Sequence, residues 1–218
     1  MSPSWRQILI GLAALVATSP FVAPEVLAFP YHEDFGSDRV WSEVPIPRDV
    51  MASILHDANA RVARSPLAAR NEGRRIFLTD GGWRWRVLAL NNHGSFALTR
   101  AAREDLIFNR SDVLAGTVEN GSELGGFRTM AGVVAHEKCH GMERRHFGLT
   151  VVVTAPTWLL EGYCDYVAQE SSLSDADVAR LKAEGKSHPA LAYYEGRRRV
   201  AAILAANGGN VDALFADY

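Results

Sequence analysis

The segment RTMAGVVAHEKCHGMERRHFG, residues 128–148, decides how this chain is read. Its spacing predicts a helix from Arg128 to Phe147, with Thr129 placed to cap the first turn and Gly148 placed to end it. Downstream, Pro156 suits the first turn of another helix running to about Glu170, whose apolar face includes Trp158, Leu159, Tyr163 and Val167. Ser174-Asp175-Ala176-Asp177 resembles a capping box that opens a short helix. A last long helix is expected from Pro189 to Ala206, ended by Gly208-Gly209.

Upstream the pattern changes. Met51, Ile54, Leu55, Ala58 and Val62 follow helical spacing until Ser65-Pro66. Then come Ile76-Phe77-Leu78, a turn at Asp80-Gly81-Gly82, and an alternation of Trp83, Trp85, Val87 and Ala89 with Arg84, Arg86 and Leu88, which predicts a half-buried strand. Phe96 to Thr99 and Leu106-Ile107-Phe108 read as further short strands, and Gly116 to Gly126 as a mobile loop. Residues 29–47 show no periodicity and are expected to lie extended over the surface. Strands first and helices later point to α+β, a small N-terminal mixed or antiparallel sheet followed by a mostly helical half.

Arg6 is followed by no charged residue until Glu25, and the apolar run from Ile8 to Ala17 has the length of a secretory h-region. Val26-Leu27-Ala28 suits a signal peptidase, which places cleavage after Ala28 and leaves one domain, residues 29–218. The same stretch also fits an uncleaved N-terminal anchor. Either reading makes the remainder exported, to the periplasm or beyond, with a membrane as partner only if the segment is kept. The 23 basic and 25 acidic residues leave a formal charge of −2, so no overall field draws the chain to nucleic acid.

His136-Glu137-Lys138-Cys139-His140 is an H-E-x-x-H sequence inside the predicted helix. Two imidazoles four residues apart share one helical face and can reach one tetrahedral Zn²⁺, while Glu137 lies beside them to take a proton from bound water. Catalytic zinc needs a third protein ligand. His146 has the metzincin spacing, but Glu143 stands where that pattern needs Gly and no Met follows Met142. On a continuous helix His146 points about 240° round from His140, so it is read as a helix C-terminal residue.

The other candidate is Glu161, in Trp158-Leu159-Leu160-Glu161-Gly162-Tyr163-Cys164-Asp165-Tyr166. Together with the upstream motif this resembles the gluzincin zinc metallopeptidases, in which a Glu in W-L-x-E-G-x-x-x-Y and E-x-x-x-D contexts on a following helix completes the site. The resemblance covers residues 128–170 and implies a zincin-like domain that hydrolyses peptide or protein substrates. It implies His136, His140 and Glu161 as zinc ligands and Glu137 as general base. Asp165, one turn after Glu161, is placed to accept the free N–H of a zinc-bound His. Many gluzincins supply an oxyanion donor from a later segment, for which Tyr193, Tyr194 and His188 are available. Leu106 to Asn109 is the candidate edge for pairing with extended substrate.

Cys139 and Cys164 both lean toward the interface between the two site helices, either as a disulfide or as two small buried hydrophobes. Two further readings of the whole chain stand beside the peptidase. One is a non-catalytic, zinc-stabilised envelope protein that binds a partner near Trp83, and the other a hydrolase of a non-peptide amide.

Overall fold

The computed structural model describes residues 4–100 and 103–218. It is α+β, with a mixed sheet in the N-terminal half and helices after it. The strands are β1 (Tyr31–Phe35), β2 (Asp38–Ser42), β3 (Arg75–Thr79), β4 (Ala97–Thr99), β5 (Leu106–Asp112), β6 (Thr117–Glu119) and β7 (Phe127–Thr129). They order as β1-β2-β3-β5-β6-β7, with β4 paired beside β5. The central pairs β2–β3 and β3–β5 are parallel and the outer ones antiparallel.

β3 is buried along its whole length, as expected of a strand covered on both faces. Successive side chains point to opposite faces. Ile76 and Leu78 join the main core with Leu106 and Phe108, beneath α2 (Arg48–Val62) and α4 (Met130–Thr154). Phe77 and Ile107 point the other way, onto α3 (Trp83–Ala89). The helical half adds α5 (Thr157–Ala168), α6 (Asp175–Ala183), α7 (Ala190–Ala206) and a short α8 (Val211–Phe215) that the sequence reading lacks. Before the sheet, α1 (Trp5–Val22) lies almost entirely outside the core, and Pro24–Leu27 forms a 3-10 turn.

Several expectations are corrected. Trp83–Ala89 is a helix, not a strand. Its seven residues satisfy both periods, and Trp85, Leu88 and Ala89, at helical spacing, are the ones that pack on Phe77 and Ile107, leaving Trp83 exposed. Residues 29–47 are not merely extended over the surface but supply the β1–β2 hairpin, turned at Gly36. Its alternation is hidden because two of the three inward positions of β2, Asp38 and Ser42, are polar. Gly116 to Gly126 is not one loop, since β6 lies within it and pairs with β5 and β7. Leu106 to Phe108 is no edge, being flanked by β3 and β4. Among the described residues β4, like β1 and β7, is paired on one side only.

In α4 the Thr129 hydroxyl accepts from Gly132 N, 3.1 Å away, as an N-cap does. Gly148 breaks the helix with φ 83°, a value that suits glycine, but it does not end it as the sequence suggested, since helical turns resume and run to Thr154. α5 and α7 cross backbone to backbone. A Cβ at Gly162 would stand 2.5 Å from Gly196 C, and one at Gly196 would stand 2.4 Å from Trp158 O. That contact sets α7 against α5 one residue beyond Glu161.

Candidate metal centre

The helical spacing of α4 presents His136 and His140 on one side, their ring centroids 4.8 Å apart and nearly perpendicular. α5 runs back across that side and brings in Glu161. Its Oε2 lies 3.1 Å from His136 Nε2 and 3.6 Å from His140 Nε2, and the three candidate ligand atoms all fall within 4.8 Å of one another. Two atoms bound to one tetrahedral zinc at about 2.0–2.1 Å stand about 3.3 Å apart. The two Glu161 distances bracket that separation. His136 is buried, whereas the side chains of His140 and Glu161 are 24% and 23% exposed, so the cluster opens to solvent on one side.

The outer nitrogen of each imidazole has a carboxylate. His136 Nδ1 lies 2.8 Å from Asp165 Oδ1, and His140 Nδ1 lies 3.3 Å from Glu143 Oε2. Such partners fix the ring orientation and leave Nε2 as the ligating atom. Asp165 is itself fully buried and held by the Arg128 guanidinium at 2.9 Å and the Ser171 hydroxyl at 3.2 Å. Glu137 is buried too. Thr99 at the end of β4 donates its hydroxyl to Glu137 Oε2 at 2.6 Å, with the Glu137 carbonyl also in reach at 2.9 Å.

The electrostatics describe a site short of positive charge. Burial works to lower the His136 pKa, yet Asp165 and Glu161 outweigh it and push it up to about 9. His140 is likewise raised, against burial, by Glu161 and Glu143. Burial would raise the Glu161 carboxyl, but the two imidazoles hold it well below the usual carboxylate range. Glu143, enclosed in the core, is pushed up to about 6 by burial, and its Oε1 has no hydrogen-bond partner. Three carboxyl groups, Glu161, Asp165 and Glu143, thus meet two imidazoles, with the Arg128 guanidinium paired to Asp165. A donor set of two imidazoles and a carboxylate, anionic and open on one side, fits a divalent cation of the zinc type.

The intervening residues of the motif turn away from this face. Lys138 is fully buried and donates to both oxygens of Asp38 at 2.8 and 2.9 Å and to Asn59 Oδ1 at 2.7 Å. Cys139 is joined to Cys164 by a disulfide, with Cα atoms 5.3 Å apart, which ties α4 to α5 beside the cluster.

Of the three aromatic candidates on the later segment, only Tyr193 is drawn to the site. The Glu161 carboxylate, burial, and the Asp165 and Glu137 carboxylates push its hydroxyl up to about 12. Tyr194 and His188 are placed elsewhere. The Tyr194 hydroxyl donates to Asp175 and accepts from Arg198, and its ring packs on the small cluster around Leu181. His188 Nδ1 accepts from Ala190 N at the start of α7. Their positions had equal standing in the sequence, because adjacent helical residues face different ways and only the α5–α7 crossing selects one. His146 lies outside the cluster and meets Asp212 at 2.6 Å. Sequence reasoning missed Glu143, Arg128 and Thr99. Glu143 alone carried a signal, standing three residues after His140 on the same helical face.

Compared with known proteins, the chain matches no family model, no curated protein and no solved structure.

Proposed function

We propose that this chain is an exported zinc-dependent peptidase of the gluzincin kind, with His136, His140 and Glu161 as ligands. The observation that carries the reading is the convergence of Glu161 Oε2 on both imidazole Nε2 atoms, with a carboxylate behind each ring. Bound there, Zn²⁺ would acidify a coordinated water and polarise a substrate carbonyl.

The chain's own residues supply the rest. Glu137, oriented by Thr99, accepts the proton from water and returns it to the departing amine. Tyr193 carries its proton at neutral pH as any tyrosine does, the surrounding carboxylates push its ionisation further up, and it is the hydrogen-bond donor for the substrate oxygen that gains negative charge. Arg128 and Asp165 hold the His136 ring. The free side of β4, next to Glu137, offers backbone groups to an extended peptide.

The test is metal analysis with a peptide-library assay and a chelator control. Wild type is expected to bind about one zinc and to cleave peptides in a chelator-sensitive way. Glu137→Gln should keep its zinc and lose roughly 10²–10⁴-fold in rate, and Glu161→Ala should lose zinc. Undiminished cleavage by Glu137→Gln would refute the base, and a zinc-loaded wild type that cleaves no peptide would favour the binding-protein or non-peptide amide reading.

A further inference from the structure

The chain changes character within a few residues at the end of α1. Over Trp5–Val22 the helix is 18 residues long with mean hydropathy 1.4, and only 6% of it is buried. At 1.5 Å per residue that is about 27 Å, close to the roughly 30 Å hydrocarbon core of a bilayer. Large apolar side chains along it, among them Ile10, Leu12 and Leu15, are more than half exposed, and among the described residues they meet no protein surface that could account for them.

From Phe21 to Phe29 the opposite holds. The Arg100 guanidinium stands 5.2 Å from the Phe21 ring centre, and Arg75 and Arg103 each donate to Val22 O at 3.4 Å, where the helix leaves a carbonyl free. Pro24 is buried. Glu25 pairs with Arg75 at 2.7 Å, and Arg75 is itself committed to Asp105 between β4 and β5. Arg84 of α3 donates to Leu27 O at 2.9 Å and to Ala28 O at 3.0 Å. Leu27 and Phe29 pack on the sheet face formed by Phe77 and Ile107, with the Phe29 and Phe77 rings 5.4 Å apart.

A cut after Ala28 would take away the Glu25 partner of Arg75, whose side chain is 7% exposed, together with both carbonyls bound by Arg84 and the apolar cover that Leu27 provides. Residues 21–29 are therefore packed as part of the domain, and the bare helix before them is continuous with it. We propose that α1 is retained and inserted in a lipid bilayer, and that residues 21–29 form a rigid clip fixing the domain to the membrane surface rather than a slack tether. Arg84, Arg100 and Arg103, gathered near the C-terminal end of α1, then lie near the membrane surface. The orientation reaches the metal centre through one layer of ion pairs. Arg74 and Glu104, next in sequence to Arg75 and Asp105, engage each other at 2.7 Å, and Glu104 also binds Arg144 and Arg145 just beyond His140 on α4.

The inference does not depend on the metal, and its test leaves the peptidase reading untouched. The full chain with its own N-terminus is produced in a bacterium, fractionated and weighed intact. The expected product resists alkaline carbonate, dissolves in detergent and retains the residues before Phe29. A carbonate-soluble chain beginning at Phe29 overturns the proposal. Hydrogen exchange on the detergent-solubilised or nanodisc-held chain then reads the clip. Amides of residues 25–28, including Val26 and Ala28, whose N–H groups bond Ala23 O and Glu25 O, should be protected in wild type and exchange at least about tenfold faster in Arg84→Ala and Glu25→Gln. Wild-type exchange as fast as that of a free linker overturns the rigid attachment even where α1 is inserted.

Discussion

Helix α4 carries two buried polar assemblies on two of its faces, and they obey different rules. Toward β2 and α2, Lys138 meets Asp38 and Asn59 with the ammonium and carboxylate 0% and 1% exposed, so charge closes upon charge within the protein. Toward α5, His136 and His140 face Glu161, Asp165 and Glu143 with acid in excess and one side open. The first assembly is complete with protein atoms alone. The second is a carboxylate-rich donor set open to solvent, whose imidazoles can take up either protons or a metal cation, and that difference, more than the motif letters, marks which face binds.

The comparison is broken most severely by removing one half of the closed pair. Lys138→Met leaves Asp38 buried without its counter-ion and is expected to cost about 3–5 kcal/mol in denaturant unfolding. The double variant Lys138→Met, Asp38→Leu should recover much of that, and a single-variant loss under about 1 kcal/mol would show that the pair is not closed in solution. Next in size is the covalent tie of α4 to α5 beside the open face. Replacing both Cys139 and Cys164 by Ser opens a loop spanning 25 residues and should cost roughly 3 kcal/mol. Unfolding midpoints with and without a reducing agent check it, since a midpoint that dithiol leaves unmoved would deny the bridge. The smallest effect falls on the open face. Asp165→Asn keeps the shape but weakens the hold on His136, and zinc affinity by competition titration should fall about 10–100-fold, or 1.4–2.7 kcal/mol. An unchanged affinity would remove Asp165 from the support of the site.

Much of the open face was legible because it is built from local signals. The i and i+4 imidazoles, the Thr129 cap, Pro156 ahead of α5 and the Glu161-to-Asp165 spacing each act within one helix turn. The closed face was not, because Lys138 and Asp38 are 100 residues apart and neither belongs to any short pattern. The same reason hid β2, whose inward Asp38 looks like a surface residue until its partner is known. Thr99 and Arg128 escaped for a related cause, since strand register and not spacing brings them to Glu137 and Asp165. α3 was misread because seven residues are too few to separate a period of two from one of 3.6 when Trp85 and Ala89 serve either and Leu88 alone speaks for the helix.

The crossing at Gly162 and Gly196 has a mechanical consequence. At this crossing α5 and α7 meet main chain against main chain, with no side chain between them to reorient, and α5 is bonded to α4 through Cys164. The wall that carries Glu161 and Tyr193 is therefore stiff. Any give needed to admit or release a bulky occupant falls to the opposite rim, where three-residue β4 rests on β5 and meets α4 through the Thr99 hydroxyl.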